Sequence, residues 1–122
     1  MRENEISGMI VDAAYKIHTG LLESVYEATM VYELKRRGLA VETQQGIPVV
    51  YEDVKLDLGS RADLIVDRLV LVELKSIDQV APVHRMQLLT YLRLTGLRLG
   101  LLLNFNVALI KDGITRVVYG LH

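Results

Sequence analysis

Residues Ala62-Asp63-Leu64-Ile65-Val66-Asp67-Arg68-Leu69-Val70-Leu71-Val72-Glu73-Leu74-Lys75 form the stretch on which the reading of this chain turns. Two β-rich runs, Ala62 to Val66 and Leu69 to Leu74, flank Asp67-Arg68, which reads as a tight hairpin. With a loop of two or three residues, position 63 falls opposite position 72 or 73. Asp63 and Glu73 then stand on adjacent strands, nearly level. Side chains alternate along a strand, so Glu73 and Lys75 share one face and Leu74 points to the other. Two carboxylates and an ammonium converge among apolar neighbours, where an unpartnered charge costs several kcal/mol. Two readings fit this spacing. One is a site whose hard oxygens suit Mg²⁺ or Mn²⁺, with the lysine beside it to position water or stabilise charge. The other is an Asp63–Lys75 salt bridge with Glu73 on a solvent-facing strand.

Outward from this hairpin, the upstream chain predicts two helices and three short strands. Residues 4 to 18 carry Ile6, Met9 or Ile10, Ala13 or Ala14, and Ile17 at helical spacing, and Thr19-Gly20 ends the run. A second helix runs from about Leu22 to Arg37. Lys35, Arg36 and Arg37 fill its last turn and Gly38 stops it. Its apolar residues spread around the axis, which predicts packing on more than one side. Strand signals cover Ala40 to Gln45, Ile47 to Tyr51 and Val54 to Leu58. Downstream, Pro82 opens a third helix that ends near Thr95-Gly96. On it Val83, Gln87, Tyr91 and Leu94 fall along one line. Leu99 to Phe105 is a buried-strand run, and a last strand covers Ile114 to Tyr119 after the turn Lys111-Asp112-Gly113. The order ααβββββαββ predicts an α/β domain, a central mixed sheet flanked by helices, with residues 1–122 as one domain.

Composition narrows the function classes. The chain has 122 residues, is 51% hydrophobic and 24% charged, and contains no cysteine. Disulfides, thiolate zinc sites and iron–sulfur clusters are thereby excluded. The three histidines, His18, His84 and His122, have no zinc-site spacing. Net charge is −1, less basic than a module that grips nucleic acid by charge alone. A metal enzyme escapes that objection, because its site must contain carboxylates and its cations arrive with the metal. The N-terminus has no signal-peptide pattern, and the uncharged run Leu99 to Ile110 is too short to span a bilayer. A cytoplasmic protein with no membrane partner is the expectation.

Asp63 followed by Glu73-Leu74-Lys75 resembles the PD-(D/E)XK nuclease superfamily, with Ala62 where that pattern often has proline. The run Gly20-Leu21-Leu22-Glu23-Ser24-Val25-Tyr26 looks like the signature of the GxxExxY protein family within it. Gln87 and Tyr91 resemble the Gln-x-x-x-Tyr motif of RecB-type nuclease domains, and His84 fits the same pattern. Gly100 to Phe105 and Gly113 to Arg116 resemble the family's C-terminal pattern. The likeness spans about Ile6 to Val118. It implies a restriction-endonuclease-like core that binds Mg²⁺ or Mn²⁺ and hydrolyses phosphodiesters of nucleic acid, with DNA as the expected substrate. It further implies that Asp63, Glu73, the Leu74 carbonyl and Glu23 hold the metal, that Lys75 orients the attacking water, and that Gln87 and Tyr91 line the site. The competing expectation is a non-catalytic module that kept the fold and binds nucleic acid, a protein, or further copies of itself as a homo-oligomer.

Overall fold

The computed structural model describes residues 2–17, 21–56 and 59–120. The elements follow the expected order: α1 (Arg2–Tyr15), α2 (Glu23–Arg36), β1 (Val41–Gly46), β2 (Val49–Tyr51), β3 (Val54–Leu56), β4 (Arg61–Val66), β5 (Val70–Lys75), α3 (Pro82–Thr95), β6 (Leu99–Asn104) and β7 (Ile114–Val118). Thr19, Gly20 and Leu58, which the sequence reading assigned to a helix end and a strand, lie outside the described residues.

Five strands form a mixed sheet in the order β1-β4-β5-β6-β7, and β2 with β3 makes a separate two-stranded ribbon. Among the described residues only β5 and β6 pair in parallel, and α3 supplies the crossover a parallel pair requires. This is the mixed α/β arrangement expected from the element order, and it is consistent with the restriction-endonuclease-like core that the resemblance implies. Among the described residues no helix is long and apolar enough to cross a membrane.

The hairpin between β4 and β5 closes through residues 67–69. Asp67 and Arg68 both adopt positive φ, 50° and 57°, the hand that matches strand twist. Asp67 tolerates this conformation and is used twice more. Its Oδ1 accepts the Ala40 N–H at 2.7 Å, and its Oδ2 meets Arg2 at 3.0 Å. The loop therefore has three residues, and the register pairs Leu64 with Val72.

The sheet is buried on both faces. On one side α1 and α2 lay Ile6, Ile10, Tyr26, Met30 and Leu34 over Leu64, Val72, Leu74, Leu101 and Leu103. On the other, α3 lays Leu88, Tyr91 and Leu92 over Ala62, Leu71 and Leu102. Burial from both sides explains why β5 and β6 read as near-continuous apolar runs. Helix α2 buries Tyr26, Met30 and Leu34, rests Val31 against the same core and touches α1 as well as β1 and β5, while Val25 and Tyr32 stay exposed. The buried line of α3 is Leu88, Tyr91 and Leu92, and Val83, Gln87 and Leu94 are exposed.

Candidate active site

The geometry of the site begins where β4 and β5 part. Their pairing ends at Leu64 and Val72, so Asp63 and Glu73, level by register, stand where main-chain pairing has stopped. The Leu74 N–H is instead taken by Asp63 Oδ2 at 2.8 Å, and the Asp63 N–H donates to Glu73 Oε1 at 3.4 Å. In an extended strand a residue's N–H and C=O point to the same edge, so the Leu74 carbonyl is aimed at this gap too.

A kink opens the gap. Gln44 of β1 lies opposite Asp63 and has φ of 50°, an uncommon conformation for glutamine. Ala62 joins the α3-side core while Leu64 joins the α2-side core, so strict alternation fails between them. The break turns Asp63 toward α2. Gln44 braces the arrangement, donating to Glu27 Oε1 at 2.9 Å and to Asp63 Oδ1 at 3.3 Å.

Helix α2 brings two further carboxylates. Glu23 and Glu27, one turn apart, line a cleft of about 210 Å³ together with Ser24, Gln44, Asp63 and Leu74. Glu23 lies in the first turn of α2, and its Oε1 accepts the Ser76 N–H at 2.9 Å. The helix is held by Tyr26, whose ring stacks on Phe105 with centroids 3.9 Å apart and planes 12° off parallel. Tyr26 is thus a core residue rather than a companion of Glu23 and Glu27 at the cleft.

Glu73 is almost fully buried, 5% exposed, which overturns its placement on a solvent-facing strand. Burial pushes its carboxyl up to about 8, and the nearby charge of Asp63 and a side-chain hydrogen bond with Asp63 push the same way. Lys75 and the Asp63 main-chain N–H oppose the shift. No Asp63–Lys75 ion pair forms among the described residues, and the salt-bridge reading fails with it. Lys75 is half-buried and lies beside Glu73 with no carboxylate in bonding contact.

The structure thus brings Glu23, Asp63, Glu73, Leu74 and Lys75 to one end of the sheet. Gln87 and Tyr91 are joined to each other, Gln87 Nε2 donating to the Tyr91 hydroxyl at 3.0 Å, with no hydrogen bond to the carboxylates. They lie on the α3 side, the face that Glu73 and Lys75 share with Leu71 by alternation. His84 is occupied at the start of α3, where its Nδ1 accepts the Ala81 N–H at 2.8 Å. Arg116 donates to Asn4 at 2.6 Å. Gln44 was missed by sequence reasoning, because neither its backbone conformation nor its place opposite Asp63 leaves a trace in residue type.

Among the described residues no three Asp, Glu or His side chains stand close enough to cage an ion as they are arranged. The donors themselves are of the right kind. Hard carboxylate oxygens surround a small cleft, and Glu73 is a buried acid whose charged form lacks a strong cationic partner. As they stand, Glu23 accepts from Ser76 and Glu27 accepts from Gln44.

A family model described as the PD-(D/E)XK nuclease superfamily matches residues 4–117. No curated protein and no solved structure matches the chain.

Proposed function

We propose, from the premise that this chain belongs to the PD-(D/E)XK nuclease superfamily, that it hydrolyses phosphodiester bonds of nucleic acid with a divalent cation, and that DNA is the substrate. The observation that carries this reading is Asp63 and Glu73 facing one another in a gap between two strands, with Lys75 next to them and unpaired. Asp63, Glu73 and the Leu74 carbonyl would hold Mg²⁺ or Mn²⁺, and Glu23 would complete the set. The cation would supply charge neutralisation at the phosphate and acidify water.

The chain's own residues do the rest. Lys75 positions the attacking water and stabilises charge on the phosphate as it develops. Asp63 is held by the Leu74 N–H and Gln44, so it reaches the cleft in a fixed orientation. Gln87 and Tyr91, locked to each other, would border the α3 side. The Glu23-Ser24-Val25-Tyr26 stretch supports a finer placing in the GxxExxY family, with Gly20 outside the described residues. A cytoplasmic protein of one domain over residues 1–122 belongs to the same reading.

The test is cleavage of a panel of single- and double-stranded DNA and RNA with Mg²⁺ or Mn²⁺. Wild type should cleave at least one DNA substrate and Lys75→Ala should not. Equal background from both on every substrate would sink the catalytic reading. The competing reading, a non-catalytic binding module, draws on the incomplete ligand set. Calorimetric titration with Mn²⁺ separates the two: a live site gives binding heat that Asp63→Asn removes, and a degenerate site gives none.

A further inference from the structure

A second cavity, about 310 Å³, opens next to the acidic cleft and has the opposite charge. Gly46, Ile47, Pro48, Lys55 and Arg61 line it. Gly46 and Arg61 are paired across β1 and β4, as are the neighbouring Gln45 and Ala62. The next step along the same two strands is Gln44 and Asp63, which line the acidic cleft. Two residues of strand span at most about 7 Å. The two cavities are therefore consecutive stations along one strand pair, a distance of the order that separates neighbouring phosphates in a nucleic acid strand.

The cations are uncommitted. Arg2, Arg37, Arg68 and Arg98 are taken up in ion pairs, Arg116 bonds Asn4 and Arg93 lies over Tyr119. Among the described residues neither Arg61 nor Lys55 has an ion pair, and both are exposed. Arg61 is also given room. A Cβ at residue 46 would overlap its guanidinium, so the missing side chain of Gly46 lets that group lie against the strand. Lys55 approaches from β3, on the separate ribbon. Ile47 and Pro48 supply an apolar wall between the two strand systems.

The geometry points to a phosphate subsite: Arg61, assisted by Lys55, binds the phosphate next to the one presented to Asp63 and Glu73, with a nucleic acid strand lying along β1 and β4. A guanidinium suits this task through its planar fork of donors, and a lysine adds a point charge. The placing also answers an electrostatic difficulty. A polyanion approaching a cleft of carboxylates is repelled, and fixed cations one step away offset that repulsion. This inference rests on the nuclease reading for its ligand, but not on turnover.

The experiment measures binding of a fluorescein-labelled single-stranded DNA oligonucleotide to the full chain by anisotropy. An Asp63→Asn background with chelator present removes cleavage from the measurement. Arg61→Ala should weaken binding roughly tenfold and lower the slope of log affinity against log salt by about one, with a smaller loss for Lys55→Ala. Gly46→Ala, which keeps every charge but displaces the guanidinium, should weaken binding as well. Circular dichroism and thermal melting establish that each variant is folded. Unchanged affinity and salt slope in folded Arg61→Ala, or no binding in the parent, overturns the subsite. Failure of the nuclease reading is a separate result, seen as absence of cleavage by wild type with Mg²⁺ while Arg61-dependent binding persists.

Discussion

Asp63 Oδ2 accepts the main-chain N–H of Leu74 at 2.8 Å, so a side chain of β4 occupies the place where a partner strand would otherwise pair with β5. This single contact joins the fold to the site. It ends the ladder, satisfies a main-chain donor that would otherwise lie unpaired, and aims the carboxylate at Glu73.

Asparagine and leucine at position 63 should therefore behave differently. Asp63→Asn keeps an oxygen for the Leu74 N–H, so its stability should stay near that of wild type. Asp63→Leu strands that donor and should cost about 1–3 kcal/mol. Both should lower nuclease activity by at least about a hundredfold. Urea unfolding beside a cleavage assay checks the split; equal stability of the two variants would show that the Leu74 contact contributes nothing.

Glu73 predicts a pH dependence with a definite sign. Its carboxyl is raised from 4.5 to about 8 in the folded chain, so the folded state holds a proton that the unfolded state has lost across that window. Stability is then greatest below about 4.5 as far as this group is concerned, and falls as pH rises towards about 8, by roughly a few kcal/mol. Glu73→Gln should flatten the decline in metal-free protein. A metal favours the ionised form, so adding Mn²⁺ should oppose the decline and release a proton. Chemical denaturation from pH 5 to 9, with chelator or with Mn²⁺, reads both effects.

Lys75 should separate activity from stability. It makes no ion pair among the described residues, so Lys75→Met should change stability little while abolishing cleavage. Because Lys75 holds the Glu73 carboxyl down, the same substitution should move the Glu73 titration to still higher pH. Carbon-13 NMR of labelled glutamate would follow it.

The Tyr26–Phe105 stack should govern how well α2 delivers its acids. Phe105→Ala removes a fully buried ring and should cost about 3–5 kcal/mol. Phe105→Leu, a milder change, should leave the chain folded but loosen Glu23. Weaker Mn²⁺ affinity at nearly unchanged secondary structure is the expected signature, measured by calorimetry and circular dichroism.

Much of this protein is legible in residue order. The apolar runs of β5 and β6, the Asp67-Arg68 hairpin and the Gly38 and Gly96 helix ends are local signals, and local sterics and burial enforce them. The hairpin even set Asp63 level with Glu73, since alternation and register depend only on neighbours along two strands. What the sequence left open was the choice between a salt bridge and a cluster of acids, and which faces of α2 and α3 are buried. Those outcomes depend on contacts between distant segments. The kink at Gln44 turns Asp63 towards α2, and packing of Tyr26 on Phe105 sets Glu23 beside Ser76. Burial from both sides of the sheet raises the Glu73 carboxyl. Residue types alone singled out the acids and the lysine proposed for the site. Only the tertiary structure decided that the lysine stays unpaired and the buried acid lacks a cation, because charge and solvation at a point depend on everything packed around it.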